Sequence, residues 1–224
     1  MYECHVIIDL EFNPVLPEHR DLLRDEIIEI GAVKLNPRFE EIGRFSCLVR
    51  PELNTQVEPV ITKLTTIRTA DVMNAVPFSE ALRMLSEWVG PAAARIYSWS
   101  ENDLNQLTRE CGVKGISLPE NMHRWMDLQK VFQRVIHYPH RSCLALSGAA
   151  DMLELSFDRS SAHRALYDAL VTADILKTVK SEAYAESLAR AREHFSTERR
   201  SSTYSLGAAC GDALAELLQR LAPN

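Results

Sequence analysis

Cys4-His5-Val6-Ile7-Ile8-Asp9-Leu10-Glu11-Phe12 is an apolar run interrupted near its end by two acids two positions apart, and it leads into Asn13-Pro14. It reads as a buried strand, closed by a proline that has no N–H to donate to a ladder. Side chains alternate across a strand, so Asp9 and Glu11 share one face. Two like charges beside a buried strand are costly unless a cation lies between them, and a hard divalent ion with oxygen ligands meets that need. Alone, D-x-E is a weak motif, and a pair of exposed acids where the strand leaves the sheet reads equally well.

Outward from this run, residues 26–35 form a second apolar stretch that ends in Asn36-Pro37-Arg38, and residues 44–50 form a third that ends at Pro51. Together they predict an antiparallel meander. In residues 77–89, Phe78, Ala81, Leu82, Leu85, Trp88 and Val89 recur at helical spacing before Gly90-Pro91. Residues 95–99 read as a short strand, and residues 102–111 as a helix closed by Gly112. Residues 125–135 and 143–155 are apolar-periodic, and residues 165–179 form a helix whose face carries Leu166, Leu170, Ala173, Ile175, Leu176 and Val179. Strands first and helices interleaved later predict an α/β fold, a mixed sheet covered by helices. The character changes after Lys180 to a polar helical stretch, a hydroxyl-rich basic segment and a short amphipathic helix at 213–221. The expected division is one domain at 1–180 and a helical extension at 181–224.

A chain of 224 residues with 46% hydrophobic and 25% charged residues has the composition of one globular core plus an appendage. The start lacks a basic stretch followed by a long apolar run, and no window reaches bilayer length, so a cytoplasmic protein with no membrane contact is expected. Five scattered cysteines with no C-x-x-C pair read as reduced thiols. The net charge of −6 counts against a long electrostatic track for nucleic acid. It allows a short grip if several acids are gathered around bound cations. Arg124, His137, His140 and Arg141 are isolated basic residues in polar loops and read as solvated.

His163 and Asp168 lie five apart around the start of the 165–179 helix. On one continuous helix they would diverge, so His163 is expected in the preceding loop and Asp168 in the first turns. Asp168 can then bind metal while His163 reaches a water; the plainer reading is a packed histidine and an acid favoured by the helix dipole. Asp103 follows the strand ending Tyr97-Ser98-Trp99, where a helix-start acid is common and Glu101 is a neighbouring rival.

The order of these features is more specific than any one of them. Asp9-Leu10-Glu11-Phe12, Glu26-Ile27-Ile28-Glu29-Ile30-Gly31-Ala32-Val33, the stretch from Phe45 to Pro51, Lys63-Leu64-Thr65-Thr66-Ile67, Trp99-Ser100-Glu101-Asn102-Asp103 and His163-Arg164-Ala165-Leu166-Tyr167-Asp168-Ala169 follow one another over roughly residues 5–180. The series resembles the DEDDh exonucleases of the ribonuclease H-like superfamily, in the KapD and ERI-type branch, whose members include RNA 3′-end trimming enzymes.

The resemblance implies three antiparallel strands followed by parallel strands, flanked by helices. It implies that Asp9, Glu11, Asp103 and Asp168 hold two magnesium or manganese ions and that His163 deprotonates the attacking water. Leu10, Phe12, Leu64 and Ile67 then receive the terminal nucleotide by apolar contact. The implied reaction is 3′→5′ removal of nucleoside 5′-monophosphates from single-stranded RNA or DNA 3′ ends, with RNA favoured. Some relatives pair, so a homodimer is an open partner state. Two departures stand out: the family's Leu-Thr-Gly-Ile reads Leu64-Thr65-Thr66-Ile67, and the threonine frequent soon after D-x-E is absent at Phe12 and Asn13. A phosphodiesterase acting on dinucleotides or short oligonucleotides is the alternative enzyme. A catalytically silent nucleic-acid-binding scaffold ranks below it, because all five positions are filled.

Overall fold

A computed structural model describes residues 2–91, 93–140, 142–180 and positions 185, 186, 189, 192 and 193. The amphipathic helix read at 213–221, the basic segment before it and most of the polar stretch after Lys180 lie outside the described residues. The first three strands, β1 (Cys4–Pro14), β2 (Asp25–Leu35) and β3 (Glu41–Arg50), form the expected antiparallel meander. Short β4 (Val76–Pro77) pairs parallel to β3 on one side, while β5 (Ala94–Ser98) and β6 (Trp125–Asp127) extend the sheet in parallel beyond β1. The order is β4-β3-β2-β1-β5-β6, one mixed sheet of six strands.

Alternation along β1 divides the core. Val6, Ile8 and Leu10 face a cluster with α3 (Phe78–Val89) and α4 (Asn102–Val113), through Phe78, Leu82, Leu85, Leu107 and Cys111. Ile7 faces the other layer, built on α5 (Leu128–Val135), α6 (Leu146–Met152) and α7 (Ala165–Lys180). Both faces of the sheet are therefore covered, as near-continuous apolar strands require. Between β3 and β4 lie α1 (Pro59–Thr65) and α2 (Thr69–Val72), which pack through Val57, Ile67 and Val72 on Ile28.

One glycine sets the spacing of the site. At Gly31, opposite Asp9 in the β1–β2 register, an added Cβ would overlap the backbone of Ala165 and Leu166. The start of α7 thus lies directly on β2, which brings Asp168 down to the β1 carboxylates. Buried acids fix the 51–58 loop: Glu26 accepts backbone N–H bonds from Glu52, Leu53 and Asn54, and ion-pairs with Lys114 at 3.3 Å.

Three expectations are corrected in detail. Residues 125–135 do not form one periodic element, because β6 occupies 125–127 and Asp127 then caps α5 by accepting the Lys130 N–H at 2.8 Å. A three-residue strand is too short to show a period of its own. Of 143–155, only Leu146–Met152 is helical. The helix begun at Asn102 runs past Gly112 to Val113, and the left-handed residue that closes it is Gly115 at φ 65°. There the Ile116 N–H reaches back to the Cys111 carbonyl at 2.8 Å. Among the described residues, no helix is long and apolar enough to cross a membrane.

Candidate active site

The carboxyl ends of parallel β1 and β5, where an open α/β sheet leaves a crevice, carry the acids. Asp9 and Glu11 project together from the α7 face of β1. Asp103, in the first turn of α4, is buried, and its Oδ1 accepts the Leu10 N–H at 3.1 Å, which ties α4 to the middle of the D-x-E strand. The rival Glu101 is exposed and ion-pairs with Lys130. Asp168 is buried in the first turn of α7, and His163 stands two residues before that helix in a left-handed backbone conformation, φ 61°. The His163 N–H donates to Asp168 Oδ2 at 3.2 Å, so the exposed imidazole is anchored by its own backbone.

Glu11, His163 and Asp168 each present a ligand atom, all within 4.8 Å of one another. Burial and mutual repulsion push every carboxyl of the group towards its neutral form. Desolvation raises Asp9 far above the usual range, with Asp103, Glu11 and Asp168 adding to the shift. Desolvation, then Asp168 and Glu29, raises Glu11 to about 8. Asp103 rises to about 7, mainly by burial, and Asp168 rises for the same reason against the opposing hydrogen bond from His163. Asp168 Oδ1 is buried with no hydrogen-bond partner among the described residues. An unpartnered buried oxygen in a set of carboxylates and one imidazole is the donor set of a hard divalent cation. The residues fit such an ion.

The residues expected at the substrate divide. Leu10 is a core side chain and Ile67 is 2% exposed, so both shape the surface from beneath. Phe12 is half-buried and Leu64 is exposed. Asn13, where a family threonine is missing, is fully buried: its amide donates to the Gln56 carbonyl at 3.0 Å and its oxygen accepts the Glu58 N–H at 2.9 Å. It secures the loop before α1 and offers nothing to a ligand. Thr66, in place of the family glycine, adopts the left-handed cap of α1 at φ 65°, its N–H on the Thr62 carbonyl at 2.9 Å. The turn survives the substitution.

Sequence reasoning missed Glu29 and Arg164 as site residues. Glu29 lies opposite Glu11 in the register and is 1% exposed. It receives Arg164 through both Nε and Nη2 and also accepts the Ala165 N–H at 2.9 Å. An acid inside an apolar strand was the available signal. Its partner, 135 positions away, could not be inferred from spacing. Asp127, whose charge raises Asp103, was likewise hidden inside a segment read as one element.

Fold and site together define a metal-competent acidic cleft on a ribonuclease H-like sheet. The chain belongs to the exonuclease family: residues 6–176 match the RNase_T exonuclease family model, and its type is DEDDh. It is 27% identical to the 3′-5′ exonuclease Snipper of Drosophila melanogaster over 68% of this chain and 59% of that protein. It is 26% identical to ERI1 exoribonuclease 2 of Homo sapiens, covering 77% of this chain and 28% of that one. The chain thus spans less than two thirds of these relatives. The nuclease domain of 3′hExo, a DEDDh family member bound to rAMP, superposes with a TM-score of 0.69 at 25% identity, covering 79% of this chain and 90% of that one.

Proposed function

We propose that this chain is a metal-dependent 3′→5′ exonuclease that releases nucleoside 5′-monophosphates from single-stranded nucleic acid, with RNA favoured over DNA. The observation that carries the proposal is the convergence of Glu11, His163 and Asp168 within 4.8 Å, with one Asp168 oxygen buried and unpartnered. Relatives named as exoribonucleases support RNA as the substrate.

In this reading Asp9, Glu11, Asp103 and Asp168 hold two magnesium or manganese ions. Bound there, the ions offset phosphate charge and act as Lewis acids on it. His163 takes a proton from the attacking water; the new P–O bond forms as the P–O3′ bond breaks, leaving a 3′-hydroxyl on the shortened strand and a 5′-phosphate on the released nucleotide. The Glu29–Arg164 fork holds the loop that carries His163. The terminal base and sugar meet Phe12, Leu64 and the Thr66–Ile67 turn, with Leu10 forming the floor. A recess of about 440 Å³ lined by Leu48, Thr66, Ile67, Arg68, Asp71 and Arg164 lies beside that turn. The exonuclease domain spans 1–180, with 181–224 as an extension.

The test is digestion of 5′-labelled RNA and DNA of matched sequence, with magnesium, manganese or chelator, beside Asp9→Asn. The expected result is a metal-dependent ladder shortening from the 3′ end, faster on RNA and absent in the variant. Cleavage of dinucleotides alone would replace it with the small-substrate reading, and no cleavage with the scaffold reading.

A further inference from the structure

Just past the acidic cleft, β1 carries buried polar groups that the proposed chemistry does not use. Asn13, two residues beyond Glu11, stands opposite Glu26 of β2 in the register, and both are 0% exposed. Both grip one loop. Asn13 donates to the Gln56 carbonyl at 3.0 Å and accepts the Glu58 N–H at 2.9 Å. Glu26 accepts the N–H groups of Glu52, Leu53 and Asn54 at 2.9, 2.7 and 3.1 Å, and Lys114 keeps the buried carboxylate paired. Asn54, itself buried, closes the set: its amide donates to the Pro14 carbonyl at 2.9 Å and its oxygen accepts the Gln56 N–H at 3.1 Å. Two fully buried polar side chains in an apolar sheet are costly unless their bonds are made. What this pair adds over an apolar one is a fixed place for the loop.

The loop leads into α1. Glu58, whose N–H is held by Asn13, is the N-cap residue of that helix, and Thr66 at its other end forms the turn that receives the terminal nucleotide in the proposed function. A helix of seven residues is marginal on its own. Its far end is secured by Ile67, packed with Val57 and Val72 on Ile28. Ile28 is the residue that the β1–β2 register passes over at the bulge after Glu11. Both ends of α1 are therefore anchored to the stretch of sheet next to Glu11.

We infer that the Asn13–Glu26 pair is a positioning device for the terminal nucleotide: it acts through α1, holding Leu64 and the Thr66–Ile67 turn at a fixed separation from Glu11, and touches neither substrate nor cation. The inference rests on the exonuclease reading and adds to it the residues that set the fit of the terminal nucleoside.

The experiment compares the full chain with Asn13→Ala in magnesium. A ten-nucleotide RNA ending in uridine gives kcat and KM, and calorimetry gives Kd for uridine 5′-monophosphate and for inorganic phosphate. Loss of part of one base contact is expected to raise KM and the nucleotide Kd about ten-fold. The kcat should stay within about two-fold, as for loss of an interaction made equally in the ground and transition states. The phosphate Kd should not move, because phosphate enters the cleft without reaching α1. Glu26→Gln keeps the volume and one acceptor oxygen while loosening the same loop from β2, and it is expected to shift KM and the nucleotide Kd in the same direction by less. A fall in kcat at unchanged KM and nucleotide Kd would mean only a smaller folded fraction, and equal weakening of nucleotide and phosphate would mean an effect on the carboxylates; either result overturns the inference. So would failure of both variants to fold, which would make the pair a requirement of the domain as a whole. Failure of the unsubstituted chain to shorten the RNA would overturn the exonuclease reading, and the positioning role with it.

Discussion

Three acids of the cleft are held by hydrogen bonds from the fold. Asp103 is tied to the Leu10 N–H, Asp168 to the His163 N–H, and Glu29 to Arg164, so these three carboxylates are positioned by the protein itself. On the proposed reading, in which these acids hold metal, replacing Asp9 or Asp168 by asparagine is expected to lower turnover by about a thousand-fold or more with the far-ultraviolet circular dichroism intact, because the carboxylates repel one another in the fold. His163→Ala should lower the rate and flatten its rise with pH, as measured by the initial rate across a buffer series. Arg164→Ala leaves Glu29 buried without its fork. The expected destabilisation is about 2 kcal/mol by denaturant titration, below the cost for a fully buried pair because the arginine side chain is 43% exposed. Asp9, Glu11, Asp103, Asp168 and His163 were all legible in the sequence as a spaced pattern. Glu29 and Arg164 were not, since their pairing depends on β2 lying beside β1 and α7 lying over both.

Elements were legible where their period was long. The β1–β3 meander and α3, α4 and α7 follow from alternation or from helical spacing over about ten residues. The short pieces α1, α2, β4 and β6 are made by packing and caps, and local pattern did not separate them. The α1 cap allows a specific test. Thr66 is β-branched and sits at φ 65°, a conformation that costs a non-glycine residue about 1–2 kcal/mol. Thr66→Gly should therefore raise stability by about 1 kcal/mol, read as a rise in Tm, after allowance for the added freedom of glycine in the unfolded chain. A fall in Tm would mean that the threonine side chain contributes more than its backbone strain costs. Gly31 works in the opposite sense. Any larger residue there would force α7 off the sheet and carry Asp168 away from Glu11.

At the scale of the whole molecule, the cleft makes stability depend on pH and on cations. Glu11 has a folded pKa of about 8 against 4.5 for the free side chain, so the unfolded chain ionises first as pH rises. Its destabilising effect is absent below about pH 4.5, grows between the two values and is complete above about 8. In chelator, Glu11→Gln is thus expected to match the unsubstituted chain near pH 4 and to exceed it at pH 9, by on the order of 2 kcal/mol and about 4–8 °C in Tm. Magnesium should shrink that difference for the unsubstituted chain, because a cation bound only by the folded state stabilises it by mass action. Equal Tm values at pH 9 with and without magnesium would show that the carboxylates do not take up the ion.

By itself the sequence determined the alternation that places Asp9 and Glu11 on one face, the order of the long strands and helices, and the ordered motif series that defines the family, since all of these are written in spacing along one chain. Only the tertiary structure decided which neighbours those acids acquire. Gly31 must lie under Ala165 for Asp168 to reach Glu11, and Glu101 must turn to Lys130 to leave Asp103 as the acid of α4. Asn13 had to be seen buried against the 54–58 loop to be read as structural. Such proximities arise from packing between residues tens of positions apart, which periodicity along the chain does not encode.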